Sequence, residues 1–369
     1  MSTSAGAPAS QAVTRVLMRR LVIALALVMV LLIPSILMLV ITVIITGHAE
    51  PAATWASIPA LAGIAAVAVG GVGLGVRTAI VLGLLGPLTI VAGGSPVSGA
   101  ALMALMCLMV GLMSRWGLQR AGLLVPVMVA WSLISPPPWG ASLVVDRTDT
   151  TYLIWMAAIF FVGGIFPVLV CPLLLRKAHL PAAKPYPRAE AIRYTLIITV
   201  LCTMSTYYVL DHPTMYGGAF LIAAILVLAP IGDASVLKPT LIRIVGTVVG
   251  ALLILAIVAV ASSLLLVYIL GLVFGVAAIM AKFSRQTWVY YVLMVPTAAC
   301  LNALALPQVG QLGEQRVIDN IIGGALVLAA SAAAIGYSRW EQHRGNSTVD
   351  EQVLLGAPID SATAEASGR

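Results

Sequence analysis

The chain has 369 residues, 61% of them hydrophobic and only 9% charged, with a mean hydropathy of +1.08. That composition excludes a water-soluble globule, because no soluble domain of this length needs so much apolar surface, and it points to a bilayer as the solvent. At around 20 apolar residues per spanning helix the length allows on the order of a dozen spans, with little left for a separate soluble domain.

In chain order, residues 1–14 are small and polar and are expected to be a disordered tail. Arg15, Arg19 and Arg20 precede the apolar run 21–46, which is too long for a signal-peptide core and is expected to stay as the first span. The next spans are predicted over 53–76, closed by Gly70, Gly71, Gly73 and Gly75, and over 78–92, short and broken at Pro87. Those over 97–113, 121–135 and 151–175 complete a first unit, residues 15–175. Residues 176–193 hold three prolines and five Lys or Arg residues and read as a linker. Six more spans are predicted over 194–210, 215–229, 244–260, 264–281, 288–306 and 317–337. They form a second unit, residues 194–340, followed by a polar tail over 341–369 that is expected to be disordered. The four cysteines, Cys107, Cys171, Cys202 and Cys300, lie inside apolar runs without metal-ligand spacing and read as small buried hydrophobes.

The net charge of +7 is explained by topology. With the N-terminus cytoplasmic and each span reversing side, all of the 20 Lys and Arg residues except Arg147 and Arg316 fall on the cytoplasmic side. This is the positive-inside pattern, and a missed or invented helix would spoil it. Twelve spans with both ends inside are therefore expected, and a nucleic-acid surface is not.

The chain also repeats itself. Ser114–Pro137 and Ser284–Pro307 align at a shift of 170 residues, which sets Val125-Pro126 on Val295-Pro296, Ser132 on Asn302 and Pro137 on Pro307. Six spans per copy is an even number, so the two copies are expected to be parallel repeats, related by an axis along the membrane normal.

Three stretches carry chemistry. In 231–250, Asp233, Lys238 and Arg243 crowd one cytoplasmic turn, Gly246 and Gly250 give a small-xxx-small face, and Thr247 lies between them. The group reads either as a topology anchor with a packing helix or as a substrate or coupling site. In 314–324, Asp319 and Asn320 are expected just inside the outer end of a span, with Arg316 one turn earlier. Two roles fit Asp319: a first-turn cap paired to Arg316, or a proton-accepting or gating carboxylate. Third, Pro126 and Pro296 lack an amide hydrogen and leave the carbonyls of Gly122 and Val292 without their helical partners. Ser132 and Asn302 follow six residues later, and Tyr290 and Tyr291 precede on the cytoplasmic side. Matched breaks in two repeats point to a substrate pathway, although a structural kink explains them as well. Aromatics near span boundaries fit an interfacial belt, and the titratable outer loops, with Glu50, Asp146, Asp149 and Asp211, read as exposed polarity or a docking surface. There is no Walker loop, His-Glu-x-x-His motif or nucleophile elbow, so no enzyme is expected, and no cofactor or metal site is evident.

The stretch Arg243-Ile-Val-Gly246-Thr247-Val-Val-Gly250, then a Tyr/Pro-containing helix, then Arg316-Val-Ile-Asp319-Asn-Ile-Ile-Gly323, resembles the fusaric acid resistance and aromatic acid exporter families. The likeness is best over 193–337 and is nearest a compact branch without large cytoplasmic domains. It implies a bacterial inner-membrane exporter of small organic, often aromatic, acids working with a periplasmic adaptor of the membrane-fusion type. The expected fold is thus an all-α integral membrane protein of about twelve helices, and the expected function is proton-coupled export of a small organic acid. The rival reading is a non-transporting membrane subunit that anchors or assembles an envelope complex. Glycine faces would also serve a homo-oligomer.

Overall fold

The computed structural model describes residues 7–140, 145–175, 185–212, 218–229, 237–261, 263–302 and 306–354. Among them all regular elements are helices. These are α1 (Ala7–Thr46), a 3-10 turn (Pro51–Ala56), α2 (Ser57–Ala92), α3 (Pro96–Ser114), α4 (Gln119–Gly122), α5 (Leu124–Ile134) and α6 (Thr150–Leu175). The second half supplies α7 (Arg188–Asp211), α8 (Gly218–Leu228), α9 (Leu237–Val260), α10 (Leu264–Phe283), α11 (Thr287–Asn302) and α12 (Leu306–Leu354). Among the described residues, eight helical segments are long and apolar enough to cross a membrane, and three shorter apolar helices accompany them: Leu124–Ile134, Gly218–Leu228 and Thr287–Leu301. Large apolar side chains point outward along these helices, with Ile44 and Leu173 each 76% exposed and Val260 80% exposed. In water that would be one continuous aggregation-prone surface; in lipid it costs nothing. The protein is a multi-pass α-helical membrane protein.

A straight helix the length of α2 would measure about 54 Å, well beyond a hydrocarbon core of ~30 Å. Gly71 resolves the mismatch: at φ 72°, ψ −170° it adopts a backbone open only to glycine, and the helix folds back there. Both limbs pack on α6. Gly63 of the first limb meets the carbonyl of Gly164, and Ala79 of the second limb lies against the other side of the same glycine. The first limb runs with α6 and the second against it, so α2 is a helical hairpin, close to the two spans expected over 53–76 and 78–92. The second limb passes through Pro87 without a further break, contrary to the expected interruption.

Gly163 and Gly164 divide the work on α6. A Cβ at Gly163 would collide with Ala56 and Pro59 before the bend, whereas one at Gly164 would meet Ala79 and Leu82 after it. On α12 the neighbouring glycines divide in the same way: Gly323 abuts Leu221 and Ala224 of α8, and Gly324 abuts Thr240 and Ile244 of α9. The sequence halves also share one core. Met103, Cys107, Val129 and Leu133 pack with Tyr194, Ile198, Cys202, Ile222, Ile225 and Val327. Other cores belong to the first half, around Met156 and Phe160, or to the second, around Ile254 and Val295.

Helix ends depart from expectation in two places. Helix covers 7–14 and 341–354, where disordered tails were expected, because extending an existing helix is far cheaper than nucleating one. And α12 begins at Leu306 rather than near residue 317, with Pro307 in its first turn, where a missing amide is tolerated. The polar sequence 308–316 that reads as a loop is helical, and Gly313 in it packs against Ile254 of α9.

We call the end of the bundle that carries Arg147 the outer end. Its loop polarity is used internally. The guanidinium of Arg147 donates to the carbonyls of Ile90 (3.0 Å) and Leu133 (3.1 Å), capping the last turns of α2 and α5 together. Buried Glu50 accepts from the amide of Gly140 at 2.6 Å. Asp146 accepts from the hydroxyl and the amide of Thr148, which holds its carboxyl below the usual range. Asp149 accepts from the amide of Thr151 in the first turn of α6.

Candidate functional site

The polar residues of the second half meet where α8, α9, α11 and α12 converge. Gly246 and Gly250 make this possible by letting α9 approach α11: a Cβ at Gly246 would meet Tyr291, and one at Gly250 would lie 2.6 Å from the carbonyl oxygen of Val292. That carbonyl is the one Pro296 leaves without an amide partner, so the freed acceptor is covered by a glycine of the neighbouring helix.

From α9, Arg243 donates through Nε to Oδ1 of Asn320 on α12 at 2.6 Å. The amide nitrogen of Asn320 in turn donates to the carbonyl of Arg316 at 2.7 Å. Asn320 therefore holds Arg243 and is itself held by its own helix. Arg316 donates to the carbonyl of Met294 at 3.3 Å, and its guanidinium lies 4.4 Å from the ring centre of Phe220 on α8. The guanidinium of Arg243 lies 5.7 Å from the ring of Tyr291. Tyr291 meets Tyr290 edge-on, and Lys282 sits over Tyr290 at 4.7 Å. Among the described residues, no carboxylate comes within 4.0 Å of either guanidinium. The two cations are held by neutral carbonyls, an amide and aromatic faces instead.

Asp319 is buried beside them. Its carboxylate faces the backbone of Leu221 near the start of α8, the helix end that favours negative charge. The carboxylate thus lies against the start of α8, not of its own helix: α12 starts at Leu306, so Asp319 lies about 20 Å along it. Asp319 Oδ2 and Arg316 Nε are buried without hydrogen-bond partners. Arg316, expected in an outer loop, lies within α12, and of the two roles open to Asp319 the ion pair with Arg316 is not formed within 4.0 Å. Both sit deep in the bundle, and the short spacing along one helix face does not bring their charged ends into contact.

The remaining candidates divide. Lys238 is exposed at the start of α9, outside the cluster, and Thr247 is buried beside Gly246. Asp233 lies outside the described residues. Leu123, which joins α4 to α5, keeps helical φ −59° and ψ −33° and donates to the carbonyl of Gln119, so the backbone stays helical into Pro126, as α11 does through Pro296. Neither backbone is broken at its proline, contrary to the expected breaks. Ser132 is fully buried and bonds back to the carbonyl of Met128, so it lines no cavity. Asn302 closes α11.

Sequence reasoning missed Phe220 and Trp131. Trp131 of α5 meets Phe220 edge-on at 4.9 Å and Trp55 at 6.0 Å, so an aromatic series links the first half to the cation of Arg316. An aromatic in the middle of an apolar run gives no signal of its partner. The available clue was the pair of uncompensated arginines, which need ring faces or carbonyls around them.

Residues 201–330 match the protein-family model described as fusaric acid resistance protein-like, and this stretch contains the whole cluster. No curated protein matches, and no solved structure does.

Proposed function

We propose that the chain is a proton-coupled secondary exporter of small organic anions, with Arg243 and Arg316 forming the anion site and Asp319 carrying the proton. One observation carries this reading: two guanidiniums are brought together in a membrane-embedded bundle with no described carboxylate within 4.0 Å of either. Intramembrane charges are expensive and are kept where they meet a ligand or a water-filled path. A carboxylate substrate would complete the charge balance, and the rings of Phe220 and Tyr291 would favour a planar one. Because Asp319 lies against the start of α8, protonating it removes a negative charge from the end of the helix that carries Phe220, the ring lying over Arg316. Proton uptake and anion access are thereby coupled through one helix end. Each charge moved across the membrane is worth about 2.3 kcal/mol per 100 mV, enough to drive concentration of a monovalent anion.

The architecture that goes with this reading is twelve crossings in two parallel six-helix repeats, with both termini cytoplasmic. Counting the two limbs of α2 separately and adding the three short helices to the long ones gives twelve. The glycine pairs on α6 and α12, each dividing between two preceding helices, support the repeat. The partner that the family likeness suggests is a periplasmic adaptor of the membrane-fusion type.

The test is flux of a radiolabelled aromatic carboxylate from proteoliposomes, with and without a pH gradient. Asp319→Asn keeps the acceptor toward Leu221 and removes the titrating charge. It should insert normally and lose gradient-driven flux while still binding the anion. Arg243→Gln should weaken binding by roughly 10-fold or more, the worth of one charge-assisted hydrogen bond. Gradient-driven flux of the Asp319→Asn protein at the parent rate would refute the coupling. Absence of flux in the parent would favour the membrane-subunit reading.

A further inference from the structure

A groove of about 460 Å³ runs between α3 and α7 and shares no lining residue with the arginine cluster. Its walls are Leu108 and Leu112 on α3 and Ile192, Leu196 and Val200 on α7. Arg115 and Arg188 line one end of it. These belong to helix termini that are tied together, since the amide of Tyr186 donates to the carbonyl of Ser114 at 3.3 Å. Both arginines are exposed, and neither has a described carboxylate within 4.0 Å; Glu190, also in the first turn of α7, does not line the groove. The positive end of the 24-residue helix α7 opens on the same spot.

The length of the groove identifies what fills it. From Arg188 to Val200 α7 rises about 18 Å, close to the ~15 Å of one leaflet's hydrocarbon. An apolar trough one leaflet deep, with a pair of cations at the headgroup level, matches a single anionic phospholipid. A second groove, between α1, α10 and α11, is larger at about 670 Å³ and equally apolar, but no Lys or Arg lines it. It offers an acyl chain a wall and gives a charged headgroup nothing.

We infer that the α3–α7 groove is a binding site for one anionic phospholipid, its phosphate held between Arg115 and Arg188 and an acyl chain lying along Leu112, Leu196 and Val200. The proposal does not depend on the transport reading. It is tested by native mass spectrometry of the purified full chain titrated with phosphatidylglycerol or phosphatidylcholine. The parent should retain one phosphatidylglycerol in preference to phosphatidylcholine. Arg115→Ala with Arg188→Ala should bind it ~30-fold more weakly, and the double lysine variant should largely keep it. Arg77→Ala removes an exposed cation on the Gly71 bend and should bind like the parent. Equal retention of the two lipids, an unchanged double alanine variant, or the same loss in Arg77→Ala would each overturn the site. Far-ultraviolet circular dichroism of every variant separates loss of the lipid from loss of the fold.

Discussion

Arg147 shows how one side chain can join two helices. Its guanidinium fills the carbonyl valences of Ile90 and Leu133, the last turns of α2 and α5, at a level where few other donors are in reach. Replacing it with Met keeps the apolar stem and removes both bonds. We expect Arg147→Met to lose about 1.5–3 kcal/mol, the range for hydrogen bonds to a charged group, seen as a lower Tm in detergent, and Arg147→Lys to recover part of it. From the sequence Arg147 stands out only as an outer-side cation, an exception to the charge rule. Its two acceptors lie 57 and 14 residues away, so no local pattern announces them. The same holds at the candidate site. That Arg243, Arg316, Asp319 and Asn320 matter is legible, because charges inside apolar runs are rare. That Asn320 rather than Asp319 takes Arg243, and that Asp319 serves α8, follows from how three helices cross.

At the level of elements, apolar run length predicted the helices well and their ends poorly. The bend at Gly71 was foreshadowed by four glycines within six residues, yet only φ and ψ single out the one that turns. Gly71 is exposed, and a Cβ there would meet nothing within 4 Å, so Gly71→Ala probes backbone conformation alone. A non-glycine residue held in that region costs on the order of 1–3 kcal/mol. The expected outcome is a lower Tm with no change in anion binding; an unchanged Tm would mean the turn relaxes to another conformation. Gly250→Ala tests the opposite case, an ordinary helical glycine in a crowded place. Its methyl group would press on the Val292 carbonyl, a backbone atom that cannot swing aside, so α9 and α11 must separate. That change should weaken anion binding, since Tyr291 and Arg243 meet across the same interface. The start of α12 was misplaced because its first turns are polar and glycine-bearing. Those are loop signals in water, and here they are helical because α9 receives Gly313.

For the whole molecule, the repeat proposed above takes its register from the paired glycines. If Gly163-Gly164 on α6 corresponds to Gly323-Gly324 on α12, then Arg316, Asp319 and Asn320 fall opposite Met156, Ile159 and Phe160. Those three are among the most buried apolar side chains in the protein, at 0%, 0% and 1% exposure. One copy of the unit would then carry a packed apolar core where the other carries charge and hydrogen bonds. On that proposal the first half is the scaffold and the second carries the site. It predicts a double dissociation. Phe160→Ala leaves a cavity in the scaffold and should cost on the order of 2–4 kcal/mol, mainly as lost packing because lipid is as apolar as the core it borders. Its Tm should fall while the anion affinity of the folded fraction stays at the parent value. Asn320→Leu is close in volume and releases Arg243 from its only hydrogen bond to a described side chain. It should leave Tm within a few degrees and weaken binding by roughly 10-fold. Thermal unfolding and equilibrium binding on the same preparations decide the matter. If both variants lose binding in proportion to stability, the halves do not divide the work, and the arginine cluster is one more part of the packing.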